Sequence, residues 1–194
     1  MIHIPLELLH VIVQDLDGPL DLVNLRLVSK DLNSKITPLA FRVIVVNDSV
    51  KSAKAVSFLQ DCHDSVTSLV REVVFRGDPD NSGVGFDREV SGEPGREALR
   101  IVFSGLTKFR NLQKLQLDLH ANYEEDFEES PTHYLLLQND SIFGSLALNP
   151  PPSLISLTLN NVIALPDNIY TQENFQQVFQ SVRELNISVL SNAF

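Results

Sequence analysis

Cys62-His63-Asp64 sets a thiol, an imidazole and a carboxylate side by side, the three groups of a nucleophilic relay. Adjacent residues rarely point at one another, and working nucleophile–base pairs are assembled from distant segments. Cys62 closes a helical stretch and therefore reads as a packed thiol. Gly83-Val84-Gly85 runs into Phe86-Asp87-Arg88 without the third glycine or the Gly-Lys-Ser/Thr that a phosphate cradle needs. It reads as a loop. The histidines His3, His10, His63, His120 and His133 form no i, i+4 pair and no Cys/His cluster with zinc spacing. The run Glu124-Glu125-Asp126-Phe127-Glu128-Glu129 lacks the alternating oxygen ligands and the glycine of a calcium loop, so it reads as a solvated charge run. The expectation is a protein that is not an enzyme and carries no metal or cofactor.

Bulk properties narrow the partners. The chain has 194 residues, 43% of them hydrophobic, enough for one or two domains with a real core. Its 25 acidic and 15 basic residues leave a net charge of −10, which repels phosphate backbones and disfavours nucleic acid. The single cysteine excludes an internal disulfide framework and points to a reducing compartment. No apolar run approaches the roughly 20 residues that span a bilayer. Glu7 and Asp15 interrupt the first apolar stretch and no basic segment precedes it, so it is not a signal peptide. Asn47, Asn139 and Asn186 each begin an Asn-x-Ser triplet, and without a secretory signal these read as chance matches. A cytoplasmic or nuclear protein is expected, with no membrane partner.

Three short helices open the chain. Pro5 suits a first helical turn, and Leu8, Leu9, Ile12, Val13 and Leu16 make one broad apolar face. Leu6 and Val11 lie off that stripe, so this helix is apolar on more than one side. Asp17-Gly18-Pro19 breaks it. The second helix offers Leu22, Leu25 and Val28 on one side and Val23 and Leu27 on another. Ser29 is placed to cap a third helix carrying Leu32, Ile36, Leu39 and Ala40, which Pro38 should kink or end. A unit this small builds little core of its own, which suggests a docking element.

From Phe41 the period changes to that of strands. Phe41-x-x-Ile44-x-Val46 follows a template of apolar-x-x-apolar-x-apolar. Val70-x-x-Val73-x-Phe75, Leu112-x-x-Leu115-x-Leu117, Leu154-x-x-Leu157-x-Leu159 and Val182-x-x-Leu185-x-Ile187 repeat it. Starts at 41, 70, 112, 154 and 182 give steps of 29, 42, 42 and 28 residues. The short steps fit leucine-rich repeats of roughly 20–29 residues, and the long ones look like the same unit with insertions. Helices are expected over 50–59, 96–109, 173–182 and part of 133–148. The stretches 77–95 and 121–131 should be exposed loops. Asn160-Asn161 could serve backbone groups in a repeat turn. A doubly wound α/β sheet would also alternate in this way, but the recurring template favours a solenoid.

The stretch IPLELLHVIVQDLDGPLDLVNLRLVSKDLNSKITPLAFR resembles an F-box, and in particular the F-box-like proteins expanded in fungi, where degenerate leucine-rich repeats often follow. The likeness covers residues 4–42. Ile4 stands where the family usually has Leu, and Leu32 where many members have Trp. The implied fold is α+β or α/β repeat, with a three-helix F-box over 1–42 and an irregular leucine-rich-repeat-like β-α solenoid over 43–194. Only Leu190 to Phe194 follow the last template strand, without a polar cap, so the repeats are expected to be incomplete at the C-terminus.

The resemblance implies docking to the Skp adaptor, and through it to a cullin, as the substrate receptor of an SCF-type ubiquitin ligase complex. Carried over residue by residue, adaptor contacts fall to Pro5, Leu6, Leu8, Leu9, Ile12, Leu22, Leu25, Val28 and Ser29, with roughly half of them needed for the internal core. The outward strand residues Arg71, Lys114, Gln116, Thr158 and Arg183 are candidates for holding a target protein. The alternative is a non-catalytic repeat scaffold whose F-box-like helices only cap the solenoid, and an α/β enzyme is the third reading.

Overall fold

The computed structural model describes residues 5–14, 19–47, 49–77, 93–119, 139–163, 173–180 and 182–190. The chain divides into two compact units, Met1–Val43 and Ile44–Phe194. In the first, α1 (Leu6–Gln14), α2 (Pro19–Arg26) and α3 (Lys30–Ala40) bury Leu9, Leu32 and Ile36, with Val13, Leu22, Leu25 and Leu39 packed around them. Ser29 is extended and its hydroxyl accepts the backbone N–H of Leu32 at 3.1 Å, capping α3. Of the two expected effects of Pro38, ending the helix there is not seen: α3 runs two residues further, to Ala40. So close to the C-terminus, the proline costs the helix a single backbone bond.

The second unit is mixed α/β. Its five-stranded sheet holds β1 (Val43–Asn47), β2 (Glu72–Arg76), β3 (Lys114–Asp118), β4 (Ser156–Ile163) and β5 (Glu184–Leu190) side by side in chain order. From β2 to β5 each neighbouring pair is parallel. Each strand begins two residues after the first apolar position of its template, so Phe41, Val70, Leu112, Leu154 and Val182 are entry residues. The other two template positions align across the sheet. Val73, Leu115, Leu157 and Leu185 stand in one register row, and Phe75, Leu117, Leu159 and Ile187 in the next.

Alternation along a strand sends these rows to one face. There α4 (Val50–Gln60), α6 (Glu93–Ser104), the π-helical turn Asn139–Phe143, α7 (Gly144–Leu148) and α8 (Glu173–Gln180) supply Val56, Val102, Phe103, Ile142, Leu146 and Val178 to the same core. The one-turn helix α5 (Asp64–Thr67) and the 3-10 turn Gly105–Lys108 lead toward β2 and β3. The helix expected over 96–109 starts earlier, at Glu93. Pro94 is tolerated there because first-turn N–H groups have no intrahelical acceptor.

The strand entries repeat one hydrogen-bond device. The carbonyl of Arg71 accepts the N–H groups of Gln113 and Lys114, that of Gln113 accepts Ile155 and Ser156, and that of Ile155 accepts Arg183 and Glu184. Side chains tie the preceding turns as well. Asn111 Nδ2 donates to the Ser68 carbonyl, and Ser153 Oγ to the Arg110 carbonyl, each at 2.7 Å. The 42-residue spacing is thus a physical register between successive layers.

Candidate protein-docking surfaces

On the first unit, the apolar side chains of α1 and α2 divide between core and surface. Pro5, Leu8, Ile12, Val28 and Ser29 are exposed, and Leu22 and Leu25 are half-buried against the small core. Leu9 is a correction. Its side chain is fully buried against Leu32 and Ile36, which removes it from any docking surface. Leu6 opens α1, and its side chain lies outside the described residues. Val11, Val23 and Leu27 join the exposed set instead. Their signal was already in the sequence, as the apolar positions falling off the main stripe of each helix.

The second surface is the sheet face opposite the helices. Lys114 is exposed, and Gln116 and Thr158 are half-buried there. Arg71 and Arg183 are exposed but lie just ahead of β2 and β5, at the entry turns. A polar node forms around Asp118, which had not been singled out. Gln116 Nε2 donates to its two carboxylate oxygens at 2.8 and 3.1 Å, and Asn160 Nδ2 to Oδ1 at 2.6 Å. Asn160 therefore serves a side chain on the preceding strand rather than backbone in a turn. Asn161 follows inside β4 with φ of 60°, where the β4–β5 register shifts between Leu159 and Val162. Asparagine tolerates that left-handed conformation better than most residues, and the irregular step absorbs it.

The groups suspected of chemistry are otherwise engaged. Cys62 Sγ donates to the Phe58 carbonyl at 3.4 Å, and His63 Nδ1 accepts the Ser65 N–H at 3.2 Å, capping α5. Asp64 meets the Arg110 guanidinium at 3.7 Å. The three groups point to different partners. Among the described residues no cluster of three His, Cys, Asp or Glu side chains could hold a metal, and no helix is long and apolar enough to cross a membrane. Gly83-Val84-Gly85, the acidic run 124–129 and His3, His120 and His133 lie outside the described residues. A groove of about 320 Å³ runs between α4 and α6, lined mainly by the alkyl groups of Val50, Ala53, Ala98 and Ile101 with Lys54 and Glu97 among them. No family model, curated protein or solved structure matches the chain.

Proposed function

We propose that the protein is a substrate-receptor subunit of an SCF-type cullin–RING ubiquitin ligase. Its first unit, read as an F-box, docks the Skp adaptor, and its second, read as a leucine-rich-repeat-like solenoid, holds a target protein. The carrying observation is the imbalance of the first unit. Leu8 is 57% exposed, Leu27 74% and Val28 71%, while among the described residues of this unit only Leu9, Leu32 and Ile36 are buried. Leaving that much alkyl surface in water is unfavourable by roughly 25 cal/mol per Å², which a partner helix would recover. The solenoid reading is supported by strands laid down in chain order and by the repeated bonding of their entry turns.

No reacting group is required of such a subunit. It would raise the concentration of its target near the transferred ubiquitin by holding both on one assembly. The test is co-purification of the full chain with the Skp adaptor, comparing wild type with Leu8→Asp/Ile12→Asp. Both side chains are exposed, so the double variant should fold yet bind at least about tenfold more weakly. Absence of wild-type binding, or equal binding by the folded variant, would sink the proposal.

A further inference from the structure

Among the described residues β5 ends the sheet, and there both apolar rows are interrupted. Val73, Leu115 and Leu157 are buried, and so are Phe75, Leu117 and Leu159. In the same rows Leu185 is 44% exposed and Ile187 51%. Edge strands are ordinarily blunted by lysine, proline or inward-pointing charge. β5 reads ELNISVL, with one charge, Glu184, and no proline. It is long, nearly uncharged and set beside half-exposed core positions.

What would complete it is fixed by the layers already formed. Every strand from β3 to β5 enters by sending two successive N–H groups to the carbonyl of the residue just before the preceding strand. The next carbonyl in that series belongs to Arg183. An occupant therefore runs parallel to β5, with apolar side chains beside Leu185 and Ile187. Charge fixes one more position. On the opposite face Glu72, Lys114, Ser156 and Glu184 stand in one row, with Glu72 and Lys114 adjacent and of opposite sign. Glu184 is exposed at the end of that row, so the complementary residue on the incoming strand is basic.

From these placements we infer that the β5 edge is a docking site for an extended peptide segment of another protein, of pattern apolar-x-Lys/Arg-apolar-x-apolar, added as a sixth parallel strand. The backbone bonds supply affinity and the alternate side chains supply selectivity, as in other strand-addition complexes. This site belongs to the second unit alone and does not rest on the ubiquitin-ligase reading.

The probe is a labelled synthetic peptide with the sequence of residues 111–119, NLQKLQLDL, which carries lysine in the required position. Titration against the full chain should give saturable binding, and hydrogen exchange should slow at the amides of 184–190. A peptide with Asp at both of its last two template leucines should bind at least about tenfold more weakly. A peptide with Glu in place of Lys should lose roughly two- to fivefold, and the variant Glu184→Lys, changed at an exposed side chain, should reverse that preference. Four results of these titrations would overturn the inference. They are no binding at millimolar peptide, equal binding of the Asp-containing peptide, an unchanged charge preference in Glu184→Lys, or protection confined to other segments. Self-association of the chain through 184–190 that excludes the peptide would also overturn it, by making a second copy the occupant.

Discussion

Gln60 Nε2 donates a 2.9 Å hydrogen bond to the carbonyl of Val102, 42 residues further on. That carbonyl belongs to the last turn of α6, where the helix leaves its own acceptors unpaired. A side chain from α4 therefore caps α6 from inside the protein, since Gln60 is buried. Gly105 permits it. A Cβ at that position would come within 2.6 Å of Gln60 Cδ.

Replacing Gly105 by Ala should accordingly destabilise the second unit by about 1–3 kcal/mol, the usual cost of overpacking. Gln60→Leu should cost a similar amount, about 1–3 kcal/mol, by leaving the Val102 carbonyl buried without a donor. The two effects are coupled. In a Gln60→Ala background the Gly105→Ala penalty should largely vanish, and a double-mutant cycle by urea denaturation reads this directly. Strictly additive losses would show that the crowding lies elsewhere.

Phe75 of β2 and Phe103 of α6 meet edge to face, with ring centroids 5.7 Å apart and planes at 71°. Both are fully buried. Truncating either to Ala should cost about 3–5 kcal/mol through lost burial and an unfilled cavity. The contact itself should appear as a coupling of about 0.5–1.5 kcal/mol between the two truncations. Calorimetry of the single and double variants checks both figures, and a coupling of zero would reduce the pair to independent core residues.

The neighbouring residues Leu8 and Leu9 should separate core from surface in the first unit. Leu9→Ala removes a fully buried side chain and should cost about 2–5 kcal/mol. Leu8→Ala changes an exposed one and should stay within about 0.5 kcal/mol of wild type. Ser29→Ala removes the cap of α3 and should cost about 1 kcal/mol. Far-ultraviolet circular dichroism of the three variants during thermal unfolding gives the ranking. A Leu8→Ala loss as large as that of Leu9→Ala would contradict the assignment of Leu8 to the surface.

The strands were legible in the sequence because their template is a direct copy of how they pack. The second and third apolar positions face the helices, and the first turns the chain into the strand, so the three recur together in every layer. Leu9 was harder to place. On a helix apolar on several sides, periodicity cannot say which side meets the interior, and only the positions of Leu32 and Ile36 decide it. The Asp118 node and the Gln60 cap were unreadable for a different reason. Each joins residues roughly one layer apart, and a single polar residue carries no period that would announce its partner.

Ser141 gives a prediction of opposite sign. Its hydroxyl is fully buried in the π-helical turn Asn139–Phe143 and has no hydrogen-bond partner among the described residues. Ser141 directly precedes Ile142 and Phe143 in sequence, both of them in the main core. A buried polar group without a partner costs about 1–3 kcal/mol, whereas deleting one hydroxyl leaves only a small void. Ser141→Ala should therefore stabilise the second unit, by about 1 kcal/mol or somewhat less once the void is counted. For a chain of this size that corresponds to a rise of roughly 2–4 °C in Tm. Differential scanning calorimetry of the full chain measures it. A lowered Tm would mean that the hydroxyl makes an interaction in solution that outweighs its burial.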